Sequence, residues 1–63
     1  MKYDVEVQLT GEDGNAFAIM GAVTRGLRQA GATHEEIAQY TTEATSGDYN
    51  NLLRVSMEWV NLQ

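Results

Sequence analysis

Apolar and polar residues alternate strictly at the start of the chain: Tyr3, Val5, Val7 and Leu9 share one face, and Lys2, Asp4, Glu6, Gln8 and Thr10 the other. A period of two predicts a half-buried β-strand over 2–10. The turn cluster Gly11-Glu12-Asp13-Gly14-Asn15 then ends the strand and opens a helix, with Asp13 or Asn15 as N-cap. Glu12 and Asp13 also suit the positive end of that helix. Ala16, Met20, Val23, Leu27 and Ala30 recur at helical spacing, and Phe17 and Ile19 widen the stripe into a core-facing band, so a helix is predicted over 16–30. On its flank the small residues Ala18, Ala22 and Gly26 recur at i, i+4 and i+8 and permit close approach of another backbone. Gly21 and Gly26 each cost about 1 kcal/mol against Ala in a helix interior, so packing or a partner must compensate.

Gly31 stands where a left-handed residue ends a helix, and Thr33-His34-Glu35-Glu36 is a capping box. A second helix is predicted over 34–46, with Ile37, Tyr40, Thr41 and Ala44 on its apolar side and Gly47 as its stop. The two helices make an αα-hairpin. In the last segment Leu53, Val55, Met57 and Trp59 alternate with Arg54, Ser56 and Glu58, which predicts a strand over 49–61 paired with the first. The alternative is a helix capped by Asp48, with Tyr49, Leu52, Leu53, Met57 and Val60 as its stripe.

The expected architecture is one α+β domain spanning 1–63 in the order β-α-α-β, its helical hairpin packed on a two-stranded antiparallel sheet. Met20, Val23, Leu27, Ile37 and Tyr40 are the expected core beneath the strands. In the β-α-α-α alternative the first strand pairs instead across a two-fold axis with a second copy.

Size limits what such a domain does. Chains this short bury only about 60% of their unfolded surface, which leaves little room for a deep active site. With 63 residues and no cysteine, disulfides and thiolate metal sites are excluded, and homodimerisation is the expected supplement to a small core. Four Lys/Arg against nine Asp/Glu give a net charge of −5, which repels phosphate backbones and disfavours nucleic acid. No apolar stretch long enough for a membrane span and no secretory leader pattern is read at the start, so a cytoplasmic protein is expected.

Candidate chemistry is sparse. His34 is the lone histidine, and its neighbours Glu35 and Glu36 do not converge with it on one ion when all three are consecutive on a helix. Ser46 and Ser56 have no base and orienting acid at recognisable spacing. Gly11-Glu12-Asp13-Gly14 lies between strand and helix but carries acids where a phosphate would sit, and it lacks the spacing of a calcium loop. The hairpin approximates a helix-turn-helix, yet its second helix bears Glu35, Glu36 and Glu43 and no cation. No catalytic residue, cofactor or metal is therefore expected.

Two features offer recognition surface: the acids Glu35, Glu36 and Glu43 of the second helix, and the aromatics Tyr49 and Trp59, with Trp59 a contact only if its side chain is exposed. They suggest a non-enzymatic protein-interaction module. The alternative is a small nucleic-acid-binding regulator using Arg25, Arg28 and Arg54. Arg25 and Arg28 could equally clamp a partner's carboxylate or pair with the glutamates of the second helix.

The run Leu9-Thr10-Gly11-Glu12-Asp13-Gly14-Asn15-Ala16-Phe17-Ala18-Ile19, with Glu43-Ala44-Thr45-Ser46-Gly47-Asp48-Tyr49, Leu52-Leu53 and Met57-Glu58-Trp59-Val60, resembles a group of small proteins of bacterial genomes, phages and other mobile elements. The resemblance spans nearly the whole chain, and its DGNAF and ATSGDY segments are the specific part. It brings no activity and no site residues, only a bacterial or phage setting. Such a setting suggests a regulator or inhibitor that binds a host protein, steered toward a basic cleft by its negative charge.

Overall fold

The computed structural model describes residues 2–9 and 14–63. Thr10, Glu12 and Asp13, on which the strand end and one N-cap expectation fall, lie outside the described residues. The element order is β1 (Glu6–Val7), α1 (Ala16–Gln29), α2 (His34–Ala44), α3 (Tyr49–Trp59) and β2 (Asn61–Leu62), a mixed α+β architecture.

Local signals set the ends of the helices. Asn15 caps α1 by accepting from the Ala18 N–H at 2.8 Å. At the far end Gly31 takes φ +92°, its N–H donates to the Arg28 carbonyl, and the Ala32 N–H donates to the Leu27 carbonyl. This is a Schellman closure, which asks for a residue without a Cβ at the left-handed position. Thr33 and Glu36 form the reciprocal capping box of α2, with bonds of 3.1 and 2.9 Å. α2 stops at Ala44, short of the expected 46, where the Thr45 and Ser46 hydroxyls bond back to the Thr41 and Glu43 carbonyls, each at 2.7 Å.

The C-terminal segment departs from the expected strand. Residues Tyr49–Trp59 are helical, with Asp48 as N-cap accepting from the Asn51 N–H at 2.9 Å. Its buried side chains are Leu52, Val55, Ser56 and Trp59, spaced i, i+3, i+4 and i+7. After it the chain extends into β2, which pairs with β1 in the register Glu6 to Asn61 and Val7 to Leu62. The pairing is parallel, correcting the antiparallel expectation, because α1, α2 and α3 together form the crossover that parallel strands require. It also lies within one chain, so β1 meets its partner without the two-fold pairing of the helical alternative.

The expected 2–10 strand shrinks to a two-residue ladder flanked by extended chain. Its first residues serve another purpose: the Lys2 and Tyr3 N–H groups donate to the Glu58 and Trp59 carbonyls, both at 2.9 Å, satisfying acceptors that a helix C-terminus leaves open. Val7 is buried against α1 at the small-residue flank, where a Cβ on Gly26 would stand 2.6 Å from Val7 Cγ2. The glycine thus offsets its helix-propensity cost by admitting the strand.

One core cluster joins Val7, Ile19, Val23, Leu27, Tyr40, Leu52, Val55, Trp59 and Val60. Of the predicted stripes, Ala16 and the expected core residues Met20 and Ile37 pack against this cluster only partly buried, and three more residues stand clear of it. Ala30 and Thr41 are exposed, and Phe17, expected in the core-facing band, is 84% exposed.

Candidate functional site

The sequence-predicted recognition residues divide once placed in three dimensions. Trp59 is 1% exposed and its ring meets Tyr40 edge-on, with centroids 5.9 Å apart and planes at 72°. Burial removes it from the proposed contact set. Its indole N–H donates to Glu43 Oε1 at 3.0 Å, and Gln39 Nε2 donates to the other carboxylate oxygen at 3.1 Å. These bonds, the indole's first, hold the Glu43 carboxyl below the usual carboxylate range. Lys2 closes the group, its ammonium lying 4.1 Å from the centroid of the Trp59 ring.

Glu36 is likewise engaged in folding. Its carboxylate accepts from the Thr33 N–H, which lowers its pKa foremost, and the neighbouring Tyr3 phenol adds to the effect. Glu35 is exposed on the first turn of α2. Of the four predicted contact residues, the structure therefore brings Glu43 and Trp59 together, sets Glu36 in a cap, and leaves Glu35 free in solvent.

The alternative set is divided between two helices. Arg25 and Arg28 sit on the exposed side of α1, while Arg54 on α3 is held by Glu58 at 3.3 Å and by the Asn51 side chain. No group of three or more His, Cys, Asp or Glu among the described residues is arranged to hold a metal ion. Among the described residues no helix is long and apolar enough to cross a membrane.

A second region carries a surface the periodicity did not reveal. The start of α1, the end of α2 and the start of α3 meet around an open groove of about 300 Å³. Ala16 and Met20 form one wall, Ala44 and Thr45 the second, and Tyr49 and Leu52 the third. Phe17 stands at its rim, 84% exposed, and Tyr49 beside it is 44% exposed. Polar bonds shape the groove from outside: the Tyr49 hydroxyl donates to the Gly14 carbonyl at 2.7 Å, tying the segment before α1 to α3. Asn51 Nδ2 donates to the Glu43 carbonyl at 3.1 Å, tying α3 to the end of α2.

Ala16, Phe17 and Met20 supply one side of the groove, and Ala44, Thr45, Gly47, Asp48 and Tyr49 line the rest with Leu52. The sequence held one usable signal for Phe17: each helical residue advances by about 100°, so Phe17 points well away from the stripe that contains Ala16, Met20 and Val23. What a helical period could not supply was the convergence of three helix ends. Comparison with protein-family models, curated proteins and solved structures returned no match, so the functional reading of this chain rests on the groove and its surroundings.

Proposed function

We propose that the chain is a non-enzymatic protein-interaction module that docks on a host protein through Phe17, acting as a regulator or inhibitor in a bacterial or phage setting. The observation that carries this reading is Phe17, a large aromatic 84% exposed at the edge of an apolar groove in a chain that buries Trp59 and Tyr40 completely. Contiguous exposed apolar surface on a small domain marks contact sites, and aromatic anchors dominate the energetics of such contacts. The net charge of −5 supplies the second attribute of the partner: an apolar pocket for Phe17 rimmed by basic groups, toward which the chain is steered. Trp59 has no part in this contact, and Glu35 is the predicted acid free to contribute.

The test starts from a tagged chain used to capture its partner from bacterial lysate, followed by titration of the purified pair. Phe17→Ser is expected to weaken the complex at least about tenfold, the loss of one hot-spot side chain. Glu35→Lys is expected to slow association and to flatten its salt dependence. Equal affinity for the Phe17→Ser chain would overturn the reading. Recovery of nucleic acid without protein would replace it with the regulator that uses Arg25, Arg28 and Arg54.

A further inference from the structure

Lys2 covers one face of the Trp59 ring, and neither residue lines the groove beside Phe17. The indole meets Tyr40 edge-on and spends its N–H on Glu43, which leaves its π-face to the Lys2 ammonium, 4.1 Å from the centroid. The ring quadrupole attracts a cation to that face, and Trp attracts one more strongly than Tyr or Phe. Two carboxylates add a negative field. Hydrogen bonds from the Thr33 N–H to Glu36 and from the indole to Glu43 lead in lowering those two pKa values, and the Lys2 charge adds to both.

The backbone that carries this cation is fastened, and its side chain is not. The Lys2 and Tyr3 N–H groups bond to the Glu58 and Trp59 carbonyls, both at 2.9 Å. The Lys2 side chain is exposed, and among the described residues its ammonium has no carboxylate within 4 Å. Rotating it into solvent bares the ring face while the backbone stays in place. We propose that the Trp59 face, flanked by Glu36 and Glu43, is a binding site for an alkylammonium group, which Lys2 occupies from within the chain until a ligand of the same chemistry replaces it. The acids alone do not define a ligand; the ammonium already seated on the ring does. Buried Trp59 meets that ligand only through the face Lys2 uncovers. Tethering gives Lys2 a high effective concentration, so a competitor needs a stronger hold on the ring, as a methylated ammonium has, or further contacts elsewhere on the chain. The net charge of −5 draws such cations in. This site is independent of the Phe17 contact.

Trp59 is the single tryptophan of the chain, so its emission reports the site directly. The full chain is titrated with tetramethylammonium chloride, with ionic strength held constant by sodium chloride. Lys2→Ala keeps the N–H that bonds to Glu58 and opens the ring face. Its emission is expected to change saturably, with an apparent affinity at least about tenfold above that of the wild-type chain, in which Lys2 competes. Glu43→Gln in that background keeps an acceptor for the indole but removes the charge, and is expected to weaken binding severalfold. Lys2→Gln serves the same titration if Lys2→Ala loses its helical circular dichroism. A peptide with one lysine, measured against its norleucine twin, separates the sources of the ammonium: preference for lysine assigns a protein ligand, and a response to tetramethylammonium alone assigns a small ammonium compound. Emission of Lys2→Ala that tetramethylammonium moves no more than sodium does would overturn the site. Equal affinity in wild type and Lys2→Ala would overturn Lys2 as its occupant, and the proposal with it.

Discussion

The two ends of this molecule treat their aromatic side chains in opposite ways. At the end built from the chain start, α2 and the last turns of α3, Trp59 and Tyr40 are buried, and each polar atom they carry has a partner in the same chain: Glu43 for the indole, Ser56 at 2.7 Å for the phenol. At the other end Phe17 faces solvent over a groove, and Tyr49 spends its hydroxyl on tying two segments together while leaving its ring partly open. The first arrangement uses aromatic area to hold the fold. The second leaves area uncovered after folding is complete, which is the condition for a contact surface.

Truncation at the buried end should have the largest effect. A domain of this size has about 3–9 kcal/mol of total stability, and Trp59→Ala is expected to remove about 3–5 kcal/mol of it. The expected outcome is a chain largely unfolded at room temperature by circular dichroism. A folded Trp59→Ala chain with a normal melting curve would mean that the core does not depend on this ring, and the contrast between the ends would lose its basis.

Close packing of β1 on α1 gives the next effect. Gly26→Ala places a Cβ where Val7 Cγ2 lies 2.6 Å away, and overpacking of this kind costs about 1–3 kcal/mol. Combining it with Val7→Ala makes room again. The double variant should be more stable than the sum of the two single losses predicts, read from urea denaturation midpoints. Strict additivity would show that strand and helix do not press on one another at this point.

How far these features were legible differs from element to element. Both ends of α1 and the start of α2 were readable because Asn15, Gly31 and the Thr33–Glu36 box act within a few residues of themselves, whereas the close of α2 at Ala44 came two residues before the expected 46. α3 was legible only as the alternative to a strand, a helix capped by Asp48, and the cause is Ser56. Its burial completes the helical stripe Leu52, Val55, Ser56 and Trp59, yet as a polar residue between Val55 and Met57 it reads as the outward position of an alternating strand. What makes it a core residue is the Tyr40 hydroxyl, 16 positions upstream and outside any local window. The same limit explains the site. Residue type alone made Trp59 a contact candidate and a helical period drew Phe17 into the core; packing on Tyr40 reverses the first assignment, and the meeting of three helix ends with Phe17 at its rim reverses the second.

The Tyr40–Ser56 pair supplies a sharper test of that account. Tyr40→Phe leaves the Ser56 hydroxyl buried without a partner, and Ser56→Ala does the same to the phenol, each at a cost of about 1–3 kcal/mol. The double variant removes both needs at once and should cost less than the sum. Additive losses would show that Ser56 is tolerated at its position without being held there by Tyr40.

Acid gives a gentler probe of the same end. Hydrogen bonds from Trp59 and then Gln39 lower the pKa of Glu43, and the capping bond lowers that of Glu36. A carboxyl whose folded pKa is depressed contributes stability that is complete above its unfolded value and is lost as pH falls through the folded one. Thermal midpoints are therefore expected to hold steady near neutrality and to decline below the ordinary glutamate range. The decline should be shallower in Glu43→Gln. An identical acid profile in that variant would separate Glu43 from the stability of the Trp59 end.

The smallest expected effect on folding belongs to Phe17, and its smallness is the informative part. At a concentration where the chain is monomeric, Phe17→Ser is expected to shift stability by no more than about 0.5 kcal/mol, the range of surface substitutions away from special features. Buried Trp59 is the natural reporter, since its emission moves red when urea exposes it. Monomeric conditions matter because any dimer stabilises the folded state by mass action and would add its own loss to the measured value. A loss of about 2 kcal/mol or more in the monomer would mean that Phe17 closes over the core in solution. In that case both ends spend their aromatics on the fold, and the open ring that carries the docking reading does not exist.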